Sequence, residues 1–536
     1  MKHIYKLLFV FAALFIAASA QAQQWQTWNT SNTRLPSDSI VAMCVDPSGN
    51  IYVCIQQGGF GRFNGLHDTV WTDLYDSVGH GYPQQVYYFK GNLWVYCYNG
   101  PGVQKFNGTT WAPYTNPVDN YASFFTSDNK GQLWMCGEGV EVLRTNGQWN
   151  HFSNTQPFTH FPDNNPSAMA CDSNGNTWVA FTYDQGVVKL NNATGQGTYI
   201  TPDSAQYANL SNRPIRSIAV DWSGNIWCAT LPNGNVGGVY RINADGSGGY
   251  LWSTDSSISW ISNDVRTVAV DHCGHVWIGT DGGAAMFDGS NWTIMNTFNT
   301  PSLPSDSINV IYVDAGGHIW FGTDQGLAEY KPAPLTVTTY YPANSATVTT
   351  DTVTCFWAWD CSNISRYYFE YADNSSFNNS TIDTTLVTFT TGNPGKHLAN
   401  LVNGKTYYWR VKAENDGGYG PFSSTQQFSV NTTSAVHEDN SGIVNGFDLQ
   451  QNYPNPFSDE TTIRFSVPQR ENVSLKVYDV LGREVATLAQ GEMERGAYSV
   501  PFDATNLSQT GLHSGLYFYR LQAGDVTIEH TMQVLR

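Results

Sequence analysis

Charge is scarce in this chain. Asp, Glu, Lys and Arg supply 13% of its 536 residues, about half the share of an average globular protein. Cations are the scarcer kind, with 26 Lys and Arg against 44 Asp and Glu and a net charge of −18. No basic cluster offsets that deficit, so no nucleic-acid partner is expected. Long apolar runs are also missing. Leu7 to Ala18 is one short stretch, behind Lys2, His3 and Lys6, too brief for a bilayer-spanning helix of about 20 residues. With the small-residue pattern Ala20-Gln21-Ala22, it reads as a signal peptide over 1–22 cleaved between Ala22 and Gln23. No transmembrane segment is expected in the mature chain. The enzyme motifs are absent as well: no Gly-x-Ser-x-Gly elbow, no His-Glu-x-x-His helix and no metal-type His/Cys cluster. Neither a metal nor another cofactor is expected.

Aromatics reach 14%, glycines number 49, and Asn, Ser and Thr fill the turns. One phrase organises more than half of the chain: Asp-x-x-Gly-Asn/His, an aliphatic residue, then Trp or Tyr, as in Asp46 to Tyr52, Asp221 to Trp227 and Asp314 to Trp320. Looser copies centre on Trp94, Trp134, Trp178 and Trp277. The turn glycines Gly49, Gly91, Gly131, Gly175, Gly224, Gly274 and Gly317 lie 42, 40, 44, 49, 50 and 43 residues apart, the period of four-stranded propeller blades. In units with the full phrase, as at Asp221, the Asp carboxylate is placed to accept backbone N–H groups while the Gly takes a positive φ. The fold class is therefore all-β, opening with a seven-bladed β-propeller over 23–332.

The ends of the array point to closure. The seventh unit stops at Tyr330 without an outer strand, and Trp25-Gln26-Thr27-Trp28 is an orphan outer strand. It leads into Leu35-Pro36-Ser37-Asp38-Ser39-Ile40, which repeats Leu303-Pro304-Ser305-Asp306-Ser307-Ile308 letter for letter. The N-terminal strand should complete the last blade and remove its exposed edge.

Nine cysteines are an odd count for an exported protein. Cys54, Cys136 and Cys228 follow the repeat aromatic closely and read as small core residues. Cys355 and Cys361 would pair only across a bend.

The repeats resemble the two-component regulator propeller of periplasmic sensor halves, which implies recognition of polysaccharide fragments; this chain has no kinase or response regulator beside them. Residues 333–430, with Trp357 or Trp359 on an early strand and Tyr407-Tyr408-Trp409-Arg410-Val411 on a later one, resemble a fibronectin type III β-sandwich. A polar linker spans 431–446. Residues 447–536 form a small C-terminal β-sandwich whose motifs, Asn452-Tyr453-Pro454-Asn455-Pro456-Phe457, Gly482 in Val477-Tyr478-Asp479-Val480-Leu481-Gly482-Arg483, and Gly515 and Tyr517 in Ser514-Gly515-Leu516-Tyr517, resemble the C-terminal sorting domain of type IX secretion. That resemblance implies a Bacteroidetes-type source, the type IX machinery and its sortase as partners, and a location outside the cell or on the outer-membrane surface.

Ligand-binding candidates come from the face bearing the loops into the inner strand. The position equivalent to Val41 is Ser123, Ser167, Arg216, Arg266 and Asn309 in other units, so polar members are placed to ring the central channel. Arg216 and Arg266, with Tyr183 in a turn, make a cradle for carboxylate or hydroxyl groups. Trp260 occupies the Leu35/Leu303 position and reads as core. The reading is a monomeric, non-enzymatic binding protein with a glycan or a surface protein as ligand. The alternatives are a propeller glycoside hydrolase or lyase, whose paired carboxylates would converge from separate blades, and a purely structural or adhesive surface component.

Overall fold

A computed structural model describes residues 25–535 apart from interruptions, the longest being 115–121, 201–209, 254–260, 384–393, 432–445 and 505–514. Of the residues singled out in the sequence, Ala22, Gln23, Tyr183, Trp260, Trp359, Cys361 and Gly482 lie outside the described residues. Two compact units are present: the chain up to Pro334 together with, among later residues, Asn415–Tyr419, and the remainder of the C-terminal half. Among the described residues all regular structure is strand, and no helix is long and apolar enough to cross a membrane.

Seven four-stranded antiparallel sheets make up the first unit. They are numbered here as blades 1 to 7 by their inner strands, Ile40–Val45, Tyr82–Phe89, Phe124–Ser127, Pro166–Cys171, Ile215–Val220, Val265–Val270 and Ile308–Val313. In six blades four consecutive strands run from inside to outside. Blade 7 has only three of its own, and its outer strand is Trp25–Trp28, paired from Trp25↔Tyr330 to Trp28↔Leu327. The expected closure is therefore present in the strand pairing. Trp28 is fully buried, 5.3 Å from the Trp320 ring and 6.2 Å from Phe63 of blade 1. The Asn309 side chain and the Tyr312 hydroxyl donate to the Ile40 and Val45 carbonyls across the same seam.

The repeat phrase has a hydrogen-bond explanation. In blade 7, Asp314 Oδ1 accepts from the Gly316 and His318 amides at 2.8 and 3.0 Å, while Oδ2 accepts from Trp320 Nε1 at 2.9 Å. One carboxylate thus closes the turn and satisfies the polar atom of a buried indole. Blades 3, 4, 5 and 6 repeat the Asp-to-indole bond at 2.8 to 3.1 Å. All seven turn glycines have φ between +71° and +81°, the left-handed region that glycine enters without a Cβ clash.

Blade cores are aromatic. Trp227 of blade 5 packs on Trp252 of its own blade and on Phe287 and Trp292 of blade 6, with ring centroids 5.2 to 6.2 Å apart, so burial joins blades as well as strands. Cys54, Cys136 and Cys228 are fully buried free thiols, as read from the sequence. Cys355 is also free and buried, so the pairing left open with Cys361 is not made; Cys273 is the disulfide-bonded cysteine among the described residues.

Beyond Pro334 two sheets, Thr339–Tyr341 with Val353–Trp357 and Gly395–Leu398, and a larger one centred on Thr406–Asn415, share a core around Trp357, Phe369 and Trp409. Trp357 and Trp409 both stack on Phe369, at 5.8 and 5.5 Å. The last 90 residues form a three-stranded and a four-stranded sheet around Ile463, Phe465, Val477, Tyr519 and Met532.

Candidate functional site at the channel mouth

The inner strands of six blades carry an irregularity at one place. Pairing with the second strand slips between Ile40 and Ala42, Pro83 and Gln85, Pro166 and Ala168, Ile215 and Ser217, Val265 and Thr267, and Ile308 and Val310. The residues set off by these bulges are Val41, Gln84, Ser167, Arg216, Arg266 and Asn309. A bulge re-aims one side chain out of the alternating pattern. Four of the six are candidates read from the sequence; the sequence shows the position's polarity but not the bulge, because nothing in composition distinguishes a bulged residue from a paired one.

The candidates then separate by what they touch. Ser123 Oγ donates to the Pro166 carbonyl of the next blade at 3.1 Å, and Asn309 Nδ2 donates to Ile40 O at 3.1 Å in the same way. Both tie neighbouring inner strands together. Ser167 Oγ is buried without a hydrogen-bond partner.

Arg266 is held from three sides. Its Nε donates to Asp264 at 3.2 Å, and its terminal NH1 nitrogen donates to Ser307 Oγ at 2.7 Å and Asn309 Oδ1 at 3.0 Å. Asn309 and Ser307 also donate to Asp324, and Ser39 joins from blade 1 through Asp324 and Gln56. Desolvation opposes the charge on Asp324, but the bonds from Ser307 and Asn309 and the field of Arg266 outweigh it and hold the carboxyl below its usual value. A continuous polar network thus crosses blades 6, 7 and 1, and Arg266 belongs to it.

Arg216 stands apart. Its guanidinium makes no hydrogen bond or ion pair with a described residue, its surface is open to solvent, and protein mass nevertheless surrounds it, the combination a concave position produces. Desolvation and the neighbouring Arg266 cation draw its pKa below the ordinary value, with Asp264 opposing. The two arginines lie within electrostatic reach of each other; Arg266 is bonded through Nε and NH1, whereas Arg216 makes no bond to a described residue.

In the sorting domain the candidate motif divides into anchors and outward residues. The Asn452 amide donates to Tyr519 Oη at 2.8 Å and its side chain to Thr461 Oγ1 at 2.9 Å. Gln533 N donates to Asn455 Oδ1 at 2.8 Å, and the Phe457 and Leu535 amides exchange bonds with the last strand, Val526–Val534, and its end. Phe457 is buried, whereas Tyr453 is 83% exposed.

Residues 451–534 match the family profile of the secretion system C-terminal sorting domain, and 259–282 and 302–325 match that of the two component regulator propeller. The chain therefore carries a type IX secretion sorting tail and is an extracellular or cell-surface protein. No curated protein is significantly similar to it. Among solved structures, the extracellular domain of a hybrid two component system from B. thetaiotaomicron is 17% identical, with 76% of this chain and 57% of that one covered and a TM-score of 0.48. PorZ, a surface component of the type-IX secretion system of Porphyromonas gingivalis, is 15% identical over 94% of this chain and 66% of that one, with a TM-score of 0.34. A streptogramin B lyase is 12% identical over 57% and 97%, with a TM-score of 0.43. The chain spans less than three fifths of the B. thetaiotaomicron domains it matches. Similarities this distant carry no functional argument, and the propeller rests on its own strand pairing.

Proposed function

We propose that the mature chain is an exported, non-enzymatic binding protein whose propeller takes a polysaccharide, or another surface ligand with carboxylate or hydroxyl groups, at the channel mouth beside Arg216. One observation carries this reading: a guanidinium with five N–H donors is solvent-open yet flanked by protein, has no acceptor among the described residues, and stands near a second arginine already committed to a network. Desolvated donors of this kind favour an oxygen-rich anion or polyol. The unit over 335–430 is read as a fibronectin type III-like spacer, supported by its two-sheet core around Trp357 and Trp409. Removal of the sorting domain is placed in the polar linker 431–446.

The test is a glycan array probed with the purified full chain and with Arg216→Gln. The variant should lose at least tenfold in affinity, since a charge-assisted bond contributes about 1.5–3 kcal/mol. Full affinity in a folded variant would move the site elsewhere. Turnover of a glycan would favour the enzyme reading, for which the buried Asp264 Oδ1, without a hydrogen-bond partner, is the observation in hand.

A further inference from the structure

Blade 7 departs from blades 1, 4 and 5 at two positions, and the departures face each other. The residue after the turn glycine is Asn50, Asn176 and Asn225 in blades 1, 4 and 5, but His275 in blade 6 and His318 in blade 7. The residue paired with the repeat aromatic is Arg62, Lys105, Lys189 and Arg241 in blades 1, 2, 4 and 5. In blade 7 it is Glu329, paired with Trp320. A cation over an indole has been replaced by a fully buried carboxylate.

That carboxylate has no hydrogen-bond partner on either oxygen, and it points at another unsatisfied atom. Glu329 Oε1 stands 2.9 Å from His318 Nδ1, which is 3.2 Å from Asp314 Oδ2, and neither approach has hydrogen-bond geometry. The three atoms lie within 4.8 Å of one another and all three residues are buried. On the other side of the ring, His318 Nε2 is 2.8 Å from Asp416 Oδ2, in the segment Asn415–Tyr419 of the same unit. A histidine that turns one nitrogen toward convergent carboxylates and gives the other N–H to a carboxylate has the second-shell arrangement of a metal ligand.

We propose that Asp314, His318 and Glu329 form a binding site for a divalent cation, zinc(II) by the chemistry of one imidazole and two carboxylates. Bonds of about 2.0–2.2 Å to nitrogen and oxygen need the three atoms to move apart by only a few tenths of an ångström. Charge favours the ion. The carboxylates of Asp314, Glu329 and Asp416 face Lys331, whose Nζ is 3.7 Å from Glu329 and 3.6 Å from Asp416. With His318 as imidazolium the group keeps one uncompensated negative charge; with neutral His318 and a doubly charged ion it is neutral. Without metal, a proton on His318 does part of this work. Desolvation opposes that proton, and the surrounding carboxylates of Asp314, Asp416 and Glu329 outweigh it. The other His-bearing turn, Asp271, Cys273 and His275, offers no comparable set because Cys273 is disulfide-bonded.

The test titrates zinc(II) alone into the full chain after chelator dialysis, reading stoichiometry by calorimetry and melting temperature by scanning. One equivalent should bind, with a rise in melting temperature and release of a proton. His318→Asn keeps the turn donor used by blades 1, 4 and 5 and should weaken binding at least tenfold, as should Glu329→Gln, while the free thiols remain common to all three chains. Failure of the wild type to bind one equivalent at micromolar zinc, or equal binding by a folded His318→Asn variant, overturns the proposal and leaves a proton-bridged ion cluster.

Discussion

Blades 2 and 7 solve the same turn with opposite means. In blade 7 the five residues from Asp314 to His318 are wrapped around one carboxylate, which also fixes Trp320. In blade 2 the inner strand runs on to Phe89, the next begins at Asn92, and the connection is Lys90–Gly91, both at positive φ, the signature of a two-residue type I′ turn. Tyr88 stands where the aspartate would be, and the buried Trp94 Nε1 has no acceptor. Both blades nonetheless hold four strands in order. The carboxylate is therefore not what makes a blade; it adds stability and frees the turn backbone from needing two left-handed residues. Where it is absent, backbone geometry does the work and an indole is left unsatisfied.

The largest effect should come from the extra element that blade 7 requires. Trp28→Ala empties a fully buried site against Trp320 and Phe63 and should cost about 3–5 kcal/mol, read as a lower denaturant midpoint. The corresponding loss in blade 2, Tyr114→Ala, should be smaller because that residue, bonded to Val103 where Trp28 is paired with Leu327, is only partly buried. Equal losses would show that the terminal strand is no special clasp.

Next comes the carboxylate itself. Asp221→Ala in blade 5 removes acceptors from Asn225 N, Asn225 Nδ2 and Trp227 Nε1 at 2.8 to 2.9 Å. It should destabilise by about 2–3 kcal/mol, chiefly through the orphaned indole. Thermal and denaturant melts check it. A change below about 0.5 kcal/mol, within the ordinary range of surface substitutions, would mean that water replaces the carboxylate and the blade 2 arrangement costs nothing.

These contrasts also explain what was legible in the chain. The repeat turn was readable because one Asp must reach specific amides and one indole, which fixes spacing as well as composition. Closure was readable because the duplicated Leu-Pro-Ser-Asp-Ser-Ile segments build the same loop. Asp38 accepts from the Thr30 amide at 2.5 Å as Asp306 accepts from Thr297 at 2.6 Å, and Asn32 and Asn299 cap Asn29 and Asn296 at 2.8 and 2.9 Å. The channel mouth was half legible: Arg216 and Arg266 could be aligned, but that Asp264, Ser307 and Asn309 occupy one and leave the other depends on three blades meeting. The Asp314, His318 and Glu329 group was missed by a search for clustered His and Cys, since Glu329 reaches it from the third strand. Its signal is a departure from the repeat, a Glu where blades 1, 2, 4 and 5 carry Lys or Arg.

A finer comparison exchanges the indoles for phenyl rings. Trp277→Phe in blade 6 removes the 2.9 Å indole donor from Asp271 Oδ2 and leaves it only His275 Nδ1 at 3.0 Å, whereas Trp94→Phe in blade 2 removes an N–H that was already unsatisfied. Both lose similar apolar area, so the difference between them isolates the hydrogen bond. Trp277→Phe should be the more destabilising by about 1–2 kcal/mol, measured as the gap between their denaturant midpoints. A gap near zero would show that the Asp-to-indole bond contributes nothing net.

The smallest expected effect repairs blade 2 on its own terms. Lys90 sits at φ +46° at the first position of the two-residue turn, a conformation that costs an L-residue roughly 1–2 kcal/mol and that Asn tolerates best. Lys90→Asn creates the Asn-Gly pair that type I′ turns prefer, but it gives up the exposed bond from Lys90 Nζ to the Gly131 carbonyl at 2.7 Å in blade 3. Exposed contacts of that kind contribute little, so a net gain of about 0.5 kcal/mol is expected, visible as a small rise in the denaturant midpoint with an unchanged slope. A loss instead would make Lys90 an inter-blade strut and blade 2 a unit held by its neighbour instead of by its own turn.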